Sequence, residues 1–156
     1  MRIIGIDPGT GILGFGVIDV VKGKPQLVDG GVIRTPVKED DAVRLLTIYE
    51  ELTSVIKDTK PDEMAVEKLF FAQNVTTAIT VAQARGVVLL TGIQASLRIA
   101  EYTPLQIKQA LTGYGRAEKK QMQEMVRVTL ALKEIPKPDD CADALAAAIC
   151  HSMTMR

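Results

Sequence analysis

The chain opens on short apolar blocks with strand-like spacing and passes, after residue 40, into apolar positions that recur every three or four residues. Ile3, Ile4 and Ile6 mark residues 2–7 as a buried strand. Residues 14–21 and 26–34 read as two more, with Lys22-Gly23-Lys24-Pro25 as the turn between them, so the start predicts an antiparallel meander. Ala42, Leu45, Leu46, Tyr49, Leu52 and Ile56 recur at helical spacing, which predicts an amphipathic helix over 42–58 that Pro61-Asp62 stops. Residues 63–67 read as a short strand, 74–96 as a long helix and 98–102 as a further strand. Thr103 is an expected N-cap, with Pro104 at the first helical position and Gln106 completing a capping box. Gly113-Tyr114-Gly115 breaks the chain before a helix over 117–132, and Pro136-Lys137-Pro138 leads into a last, alanine-rich helix.

The predicted order is β-β-β-α-β-α-β-α-α-α. A hairpin-rich start followed by strand–helix alternation belongs to the α/β class: a five-stranded mixed sheet with helices on both faces, the order of the ribonuclease H-like architecture. A chain of 156 residues without repeats is one domain, 1–156, long enough for a single substantial core. Apolar residues make up 47% of it and tryptophan is absent, so the core is aliphatic and a disordered chain is excluded. Cys141 and Cys150 lie nine positions apart on the last helix, too far to bridge, and read as free thiols in a reducing compartment. The start, Met1-Arg2-Ile3-Ile4-Gly5, lacks signal-peptide form because Asp7 interrupts it, and Arg85 interrupts the best membrane-span candidate. A cytoplasmic protein away from membranes is expected.

Net charge is zero, but its distribution is uneven. Residues 37–67 hold nine acids against four bases, a net −5, whereas 98–133 hold seven bases against three acids, a net +4. Such asymmetry can put a basic face on a neutral molecule, although solvated helix faces would account for it equally well.

Four carboxylates stand where an acid is locally out of place. Asp7 ends the first apolar run, Glu67 follows Met64-Ala65-Val66, and Asp140 and Asp143 open the alanine-rich helix. Each has an ordinary explanation when taken singly. Asp7 suits an Asx-turn in Asp7-Pro8-Gly9-Thr10-Gly11, Glu67 a solvated strand end, Asp139 or Asp140 an N-cap, and Asp143 the positive end of a helix dipole. Alternation puts Ala65 and Glu67 on one face of their strand and Met64 and Val66 on the other. The strand ending in Glu67 should neighbour the one ending in Asp7, and Asp140 and Asp143, three apart, share a helix face. Carboxylates so gathered would bind protons or divalent cations, and with cations they would make a hydrolytic site for phosphodiesters. Phe70 or Phe71 could pack in the core or stack on an exposed base. His151, the single histidine, reads as structural or exposed. Asp7-Pro8-Gly9-Thr10 also resembles the first phosphate loop of actin-like ATPases, which need two such domains where this chain has one.

Read together, these motifs resemble the RuvC family of bacterial Holliday-junction resolvases over nearly the whole chain. The resemblance rests on Gly5-Ile6-Asp7-Pro8-Gly9 with Gly14-Phe15-Gly16-Val17, and on Val66-Glu67-Lys68-Leu69-Phe70 with Asn74. It continues through Ala82-Gln83-Ala84-Arg85-Gly86, Gln106-Ile107-Lys108, Gly113-Tyr114-Gly115, Ala117-Glu118-Lys119 and Asp140-Cys141-Ala142-Asp143-Ala144-Leu145. It implies a ribonuclease H-like endonuclease whose catalytic and metal-binding acids fall on Asp7, Glu67, Asp140 and Asp143. Two Mg²⁺ per active site are implied, with Mn²⁺ as a substitute. The implied DNA contacts are Phe70 as the stacking aromatic, Lys108 and Lys119, and secondarily Lys120 and Arg85. The implied partners are four-way junction DNA, a second copy of the chain in a homodimer, for which the helix from Asn74 offers a surface, and the RuvA–RuvB branch-migration complex. The YqgF type, a related family acting on RNA, shares the early Asp-x-Gly motif but does not supply the stretch from Glu67 to Phe70 in this form.

Overall fold

A computed structural model of the protein describes residues 1–68 and 75–155. Phe70, Phe71 and Asn74 lie outside the described residues. The first three strands, β1 (Arg2–Asp7), β2 (Ile12–Val21) and β3 (Lys24–Arg34), form the expected antiparallel meander. The turn between β2 and β3 is shorter than the sequence suggests. Only Lys22 and Gly23 turn, both at positive φ (50° and 77°), and Lys24 and Pro25 already pair with Val21 and Val20. Two left-handed residues match the right-handed twist of the flanking strands. Pro25 is tolerated because β3 is an edge strand.

The chain then forms α1 (Asp41–Thr59), β4 (Glu63–Glu67), α2 (Val75–Gln94), β5 (Arg98–Tyr102), α3 (Pro104–Thr112), α4 (Lys119–Thr129) and α5 (Asp139–Thr154). The sheet order is β3-β2-β1-β4-β5, with β1, β4 and β5 mutually parallel. Helices cover both faces, as predicted. Ile4, Ile6, Met64 and Val66 pack with Ile48 and Leu52 of α1 and with Ala84 and Val88 of α2. Ile3 and Ala65 point the other way, into a core built by α3, α4 and α5. The strict alternation of β4 is therefore real, and it sends Glu67 to the α5 face along with Ala65.

Some local expectations shift. The face that α1 buries runs through Ile48, Leu52, Ile56 and Thr59, while Leu46 is exposed. Apolar spacing alone left the stripe's rotation undecided, and contact with the sheet settled it. Helix α4 is shorter than 117–132: Glu118 and Gln121 close a capping box at its start, and Leu130 caps its end. Pro138, not Asp139 or Asp140, holds the N-cap position of α5, so both acids sit inside its first turn. The capping box at Thr103 and Gln106 is present as expected.

Helix α5 is the spine of the second core: Cys141, Ala142 and the run from Ala144 to His151 are buried. Both cysteines are free thiols. At its far end His151 is buried between Glu63 and Tyr102. Its Nε2 lies 2.7 Å from Glu63 Oε2 and its Nδ1 lies 2.7 Å from the Tyr102 hydroxyl, which ties the last turn of the helix to β4 and β5. The histidine is structural.

Candidate active site

What brings the late helix to the early strands is the absence of side chains between them. An ideal Cβ on Gly5 of β1 would stand 2.0 Å from the Ala144 carbonyl oxygen, and one on Gly14 of β2 would stand 1.9 Å from the Asp140 carbonyl oxygen. On Gly16 it would meet the Leu145 side chain at 2.5 Å. Helix backbone thus lies directly on strand backbone, with Ala144 and Ala148 over Gly5. Gly14 is the ladder partner of Asp7, so the first turn of α5 sits beside the strand end that carries the first acid. Across the parallel ladder Ile6 pairs with Val66, and one residue further Asp7 and Glu67 are neighbours.

The four acids therefore meet at one end of the sheet, and their electrostatics record it. Burial raises Asp7, and the charge of Glu67, a hydrogen bond to Glu67, and the charges of Asp143 and Asp140 add to it, pushing its pKa up to about 9. Protonated Asp7 donates to the Glu67 carboxylate. Glu67 is itself raised, by burial first and then by Asp143, against the opposing pull of that hydrogen bond, Lys108 and Lys119. Asp143 is raised by burial and by Asp140 and Asp139, with Lys119 opposing.

On the other side of the acids lies a cleft of about 240 Å³, lined in part by Glu67, Lys108, Lys119, Met122 and Asp143. Lys119 Nζ stands 3.2 Å from Asp139 and 3.8 Å from Asp143. Partial burial works against its charge, but the Asp139 hydrogen bond and the charges of Asp143, Asp139 and Asp140 outweigh this and raise its pKa. Two of the five residues expected to contact DNA, Lys108 and Lys119, thus border the acid cluster. Lys120 instead lines a separate groove with Tyr114, Gln121 and Glu124. Arg85 is ion-paired to Glu101 on β5. Phe70 falls outside the described residues. Asp139, expected only as a cap, is the closer carboxylate to Lys119; its place in the first turn of α5, ahead of Asp140, is the signal in the sequence.

The donor set fits a hard divalent cation. It offers carboxylate oxygens alone, half-buried, and burial first, then neighbouring carboxylate charge, raises the pKa values of Asp7, Glu67 and Asp143. The one imidazole is engaged elsewhere. Among the described residues no three ligating groups yet converge on a common point. With the Asp7 pKa raised beside Glu67, a proton held by Asp7 relieves the close approach of the two unneutralised carboxyls.

A pH dependence follows. With Asp7 raised from 3.8 to about 9, the folded chain holds a proton that the unfolded chain releases at lower pH. This contribution to stability is complete below pH 3.8 and is lost progressively as pH rises to about 9. Metal-free protein should melt at lower temperature at pH 8.5 than at pH 6, and saturating Mg²⁺ should recover more of the loss at the higher pH. Calorimetry at both pH values, with and without the ion, tests this; a melting temperature indifferent to pH without metal would refute it.

Known proteins match this chain in sequence and in fold. The family description "Crossover junction endodeoxyribonuclease RuvC" matches residues 3–151. A protein of that name from Heliobacterium modesticaldum is 56% identical over 156 residues, covering 99% of this chain and 96% of its own length. Another, from Halothermothrix orenii, is 54% identical over 156 residues, covering 100% and 94%. The solved structure of T. thermophilus RuvC in complex with Holliday junction substrate superposes with a TM-score of 0.95 at 39% identity, covering 100% of this chain and 95% of that one. With the acids on β1, β4 and α5 gathered at one end of a β3-β2-β1-β4-β5 sheet, and with likeness of this extent, the chain belongs to the RuvC family of crossover junction endodeoxyribonucleases.

Proposed function

We propose that this protein is a structure-specific endodeoxyribonuclease that resolves four-way (Holliday) DNA junctions in recombination and repair. It cuts by metal-dependent hydrolysis and leaves 5′-phosphate and 3′-hydroxyl ends. The observation that carries this reading is the set of acids on β1, β4 and α5, drawn to one strand end beside a cleft that also holds Lys108 and Lys119.

Asp7, Glu67, Asp140 and Asp143 are the residues that would hold the metal, and Mg²⁺, two ions per site, suits their hard oxygens, with Mn²⁺ as substitute. The bound metal supplies the Lewis acidity that makes water a nucleophile near neutral pH and that stabilises charge on the departing oxygen. The chain does the rest. Lys108 and Lys119, on the wall of the cleft, hold DNA phosphates and offset charge on the phosphoryl group under attack. Lys119 also balances Asp139 and Asp143, so the acids can approach a polyanion without repelling it. Phe70 stacks on a base at the opened junction, with Lys120 and Arg85 as outer contacts.

The functional unit is a homodimer. Along α2, Val75, Ile79, Ala82, Gly86, Leu90 and Ile93 are exposed at spacings of three or four residues, while Ala84, Val88, Thr91 and Gly92 bury the other side against the sheet. By length and composition α2 would reach across a bilayer. Arg85 in its middle, paired to Glu101, and the sheet beneath it favour a second copy of the chain as the cover. Two-fold pairing presents two sites to a nearly two-fold junction and nicks two strands symmetrically. Ile79→Asp should halve the mass seen by sedimentation at micromolar concentration; an unchanged dimer mass would move the interface off α2. Such an enzyme works in the cytoplasm, alongside the RuvA–RuvB branch-migration complex.

The direct test incubates the purified protein with a mobile four-way junction, with Mg²⁺ and with chelator. Paired symmetric nicks with metal and none with chelator are expected; binding without nicking under any divalent ion would leave a junction-binding protein that does not cut. For Lys119→Ala, junction affinity should fall and the slope of log K against log salt should shrink by about one. An unchanged slope would remove Lys119 from the phosphate contacts.

A further inference from the structure

Beyond the last ladder pair of β1, Asp7 with Gly14, the chain makes a four-residue turn, Pro8 to Gly11, before β2 begins at Ile12. Pro8 brings no N–H, and Gly9 is pressed so close to the Ile12 carbonyl that a Cβ there would stand 2.2 Å from it. The Thr10 hydroxyl is buried and has no hydrogen-bond partner among the described residues. A turn with a missing donor and an unpaired buried hydroxyl gains from hydrogen bonds made to its carbonyls from outside.

That support comes from Thr35, the residue after β3. Its backbone N–H donates to the Gly11 carbonyl at 3.0 Å, and its buried hydroxyl donates to the Thr10 carbonyl. The same hydroxyl accepts from Arg44 Nε of α1 at 3.0 Å. Arg44 also brings its Nη2 alongside Gly11, 3.3 Å from where a Cβ would be. Two carbonyls of the turn, one threonine and one arginine thus form a clasp from α1 across the end of β3 to the loop that leaves Asp7. Thr35 uses its single proton on Thr10 and its lone pair on Arg44, so the three groups are ordered in one direction.

We propose that Thr35 and Arg44 are positioning residues for cleavage: the clasp sets the path of the chain leaving Asp7, and with it the placement of the Asp7 carboxylate against Glu67 for metal binding. This rests on the nuclease reading above. Neither residue touches the acids. They act through the turn backbone, one step further out than a group bonded directly to a metal ligand, whose removal weakens metal binding about tenfold or more. A clasp that only closed the hairpin would alter melting temperature but not metal dependence.

The experiment measures three quantities for the unaltered chain, Thr35→Val, Thr35→Ser and Arg44→Gln. They are the Mg²⁺ concentration for half-maximal cleavage of a four-way junction, the rise in melting temperature that Mg²⁺ produces without DNA, and junction affinity in chelator. Thr35→Val should raise the half-maximal Mg²⁺ several-fold, up to about tenfold, and blunt the Mg²⁺-induced rise in melting temperature, with junction affinity unchanged. Thr35→Ser, which keeps the hydroxyl, should restore both, and Arg44→Gln should move them in the direction of Thr35→Val. If Thr35→Val does not fold, Arg44→Gln decides, because its side chain is only partly buried. Folded variants with unaltered Mg²⁺ dependence would overturn the proposal. So would Arg44→Gln weakening junction binding in chelator, which would make Arg44 a DNA contact. Failure of the unaltered chain to cleave would instead remove the nuclease reading.

Discussion

Asp7→Asn should lower junction cleavage at least about 10³-fold, roughly 4 kcal/mol of barrier, while leaving junction affinity nearly as it was. The argument has two halves. Asn keeps the shape of the side chain but offers a weak neutral oxygen in place of a charged one, at the position where burial and three neighbouring acids meet most strongly. On the proposed reading the acids would hold metal rather than DNA, and replacing a carboxyl that is already neutral without metal leaves the charge facing the polyanion unchanged. The fold should also tolerate the change unusually well. Metal-free Asp7 is already protonated near neutral pH, and an amide reproduces the neutral, hydrogen-bonding form that donates to Glu67. Metal-free Asp7→Asn should therefore melt no lower than the unaltered chain at pH 8, and Mg²⁺ should stabilise it far less. Gel-shift, cleavage and calorimetry on one preparation test all of this. Loss of junction binding in a folded Asp7→Asn protein would count against the assignment of Asp7 to the metal.

Gly14→Ala should cost about 3 kcal/mol of stability, some 6–12 °C in melting temperature for a domain of this size, and should abolish most cleavage as well. A methyl group at residue 14 would overlap the Asp140 carbonyl oxygen, 1.9 Å from the ideal Cβ. That oxygen is helix backbone and cannot swing aside as a side chain would. Either α5 lifts from the sheet, exposing part of the core that Cys141 and Leu145 bury, or the strand bends away. Both movements separate Asp140 and Asp143 from Asp7, so activity should fall even at temperatures where the variant is folded. Melting and cleavage at 20 °C give the two readouts. A variant that is as stable and as active as the parent would show that helix packing on Gly14 does not set the acid cluster.

Much of this was legible in the residues themselves. Asp7 and Glu67 could be placed at strand ends, and Ala65 and Glu67 on one face, because strand alternation is a local rule that the sheet then obeyed. The box at Thr103 and Gln106 was readable for the same reason: its bonds span three residues. Where local pattern and structure differ, a non-local contact decided. Leu46 and Ile48 both satisfy a helical apolar pattern, and only the sheet chose Ile48. The pairing of His151 with Glu63 spans 88 positions. Thr35 and Arg44 carry no motif at all; their part emerges only when α1 folds back against the loop after Asp7.

The sequence by itself determined the menu of elements, the acids that stand out of place and the glycines and alanines that leave room beside them, since these depend on each residue and its near neighbours. The distance between α5 and β1, the rise of the Asp7 pKa beside Glu67, and the ion pairs of Lys119 with Asp139 and Asp143 were decided by the tertiary structure alone. Desolvation and Coulomb energy depend on separation through space, and separation through space is what folding creates.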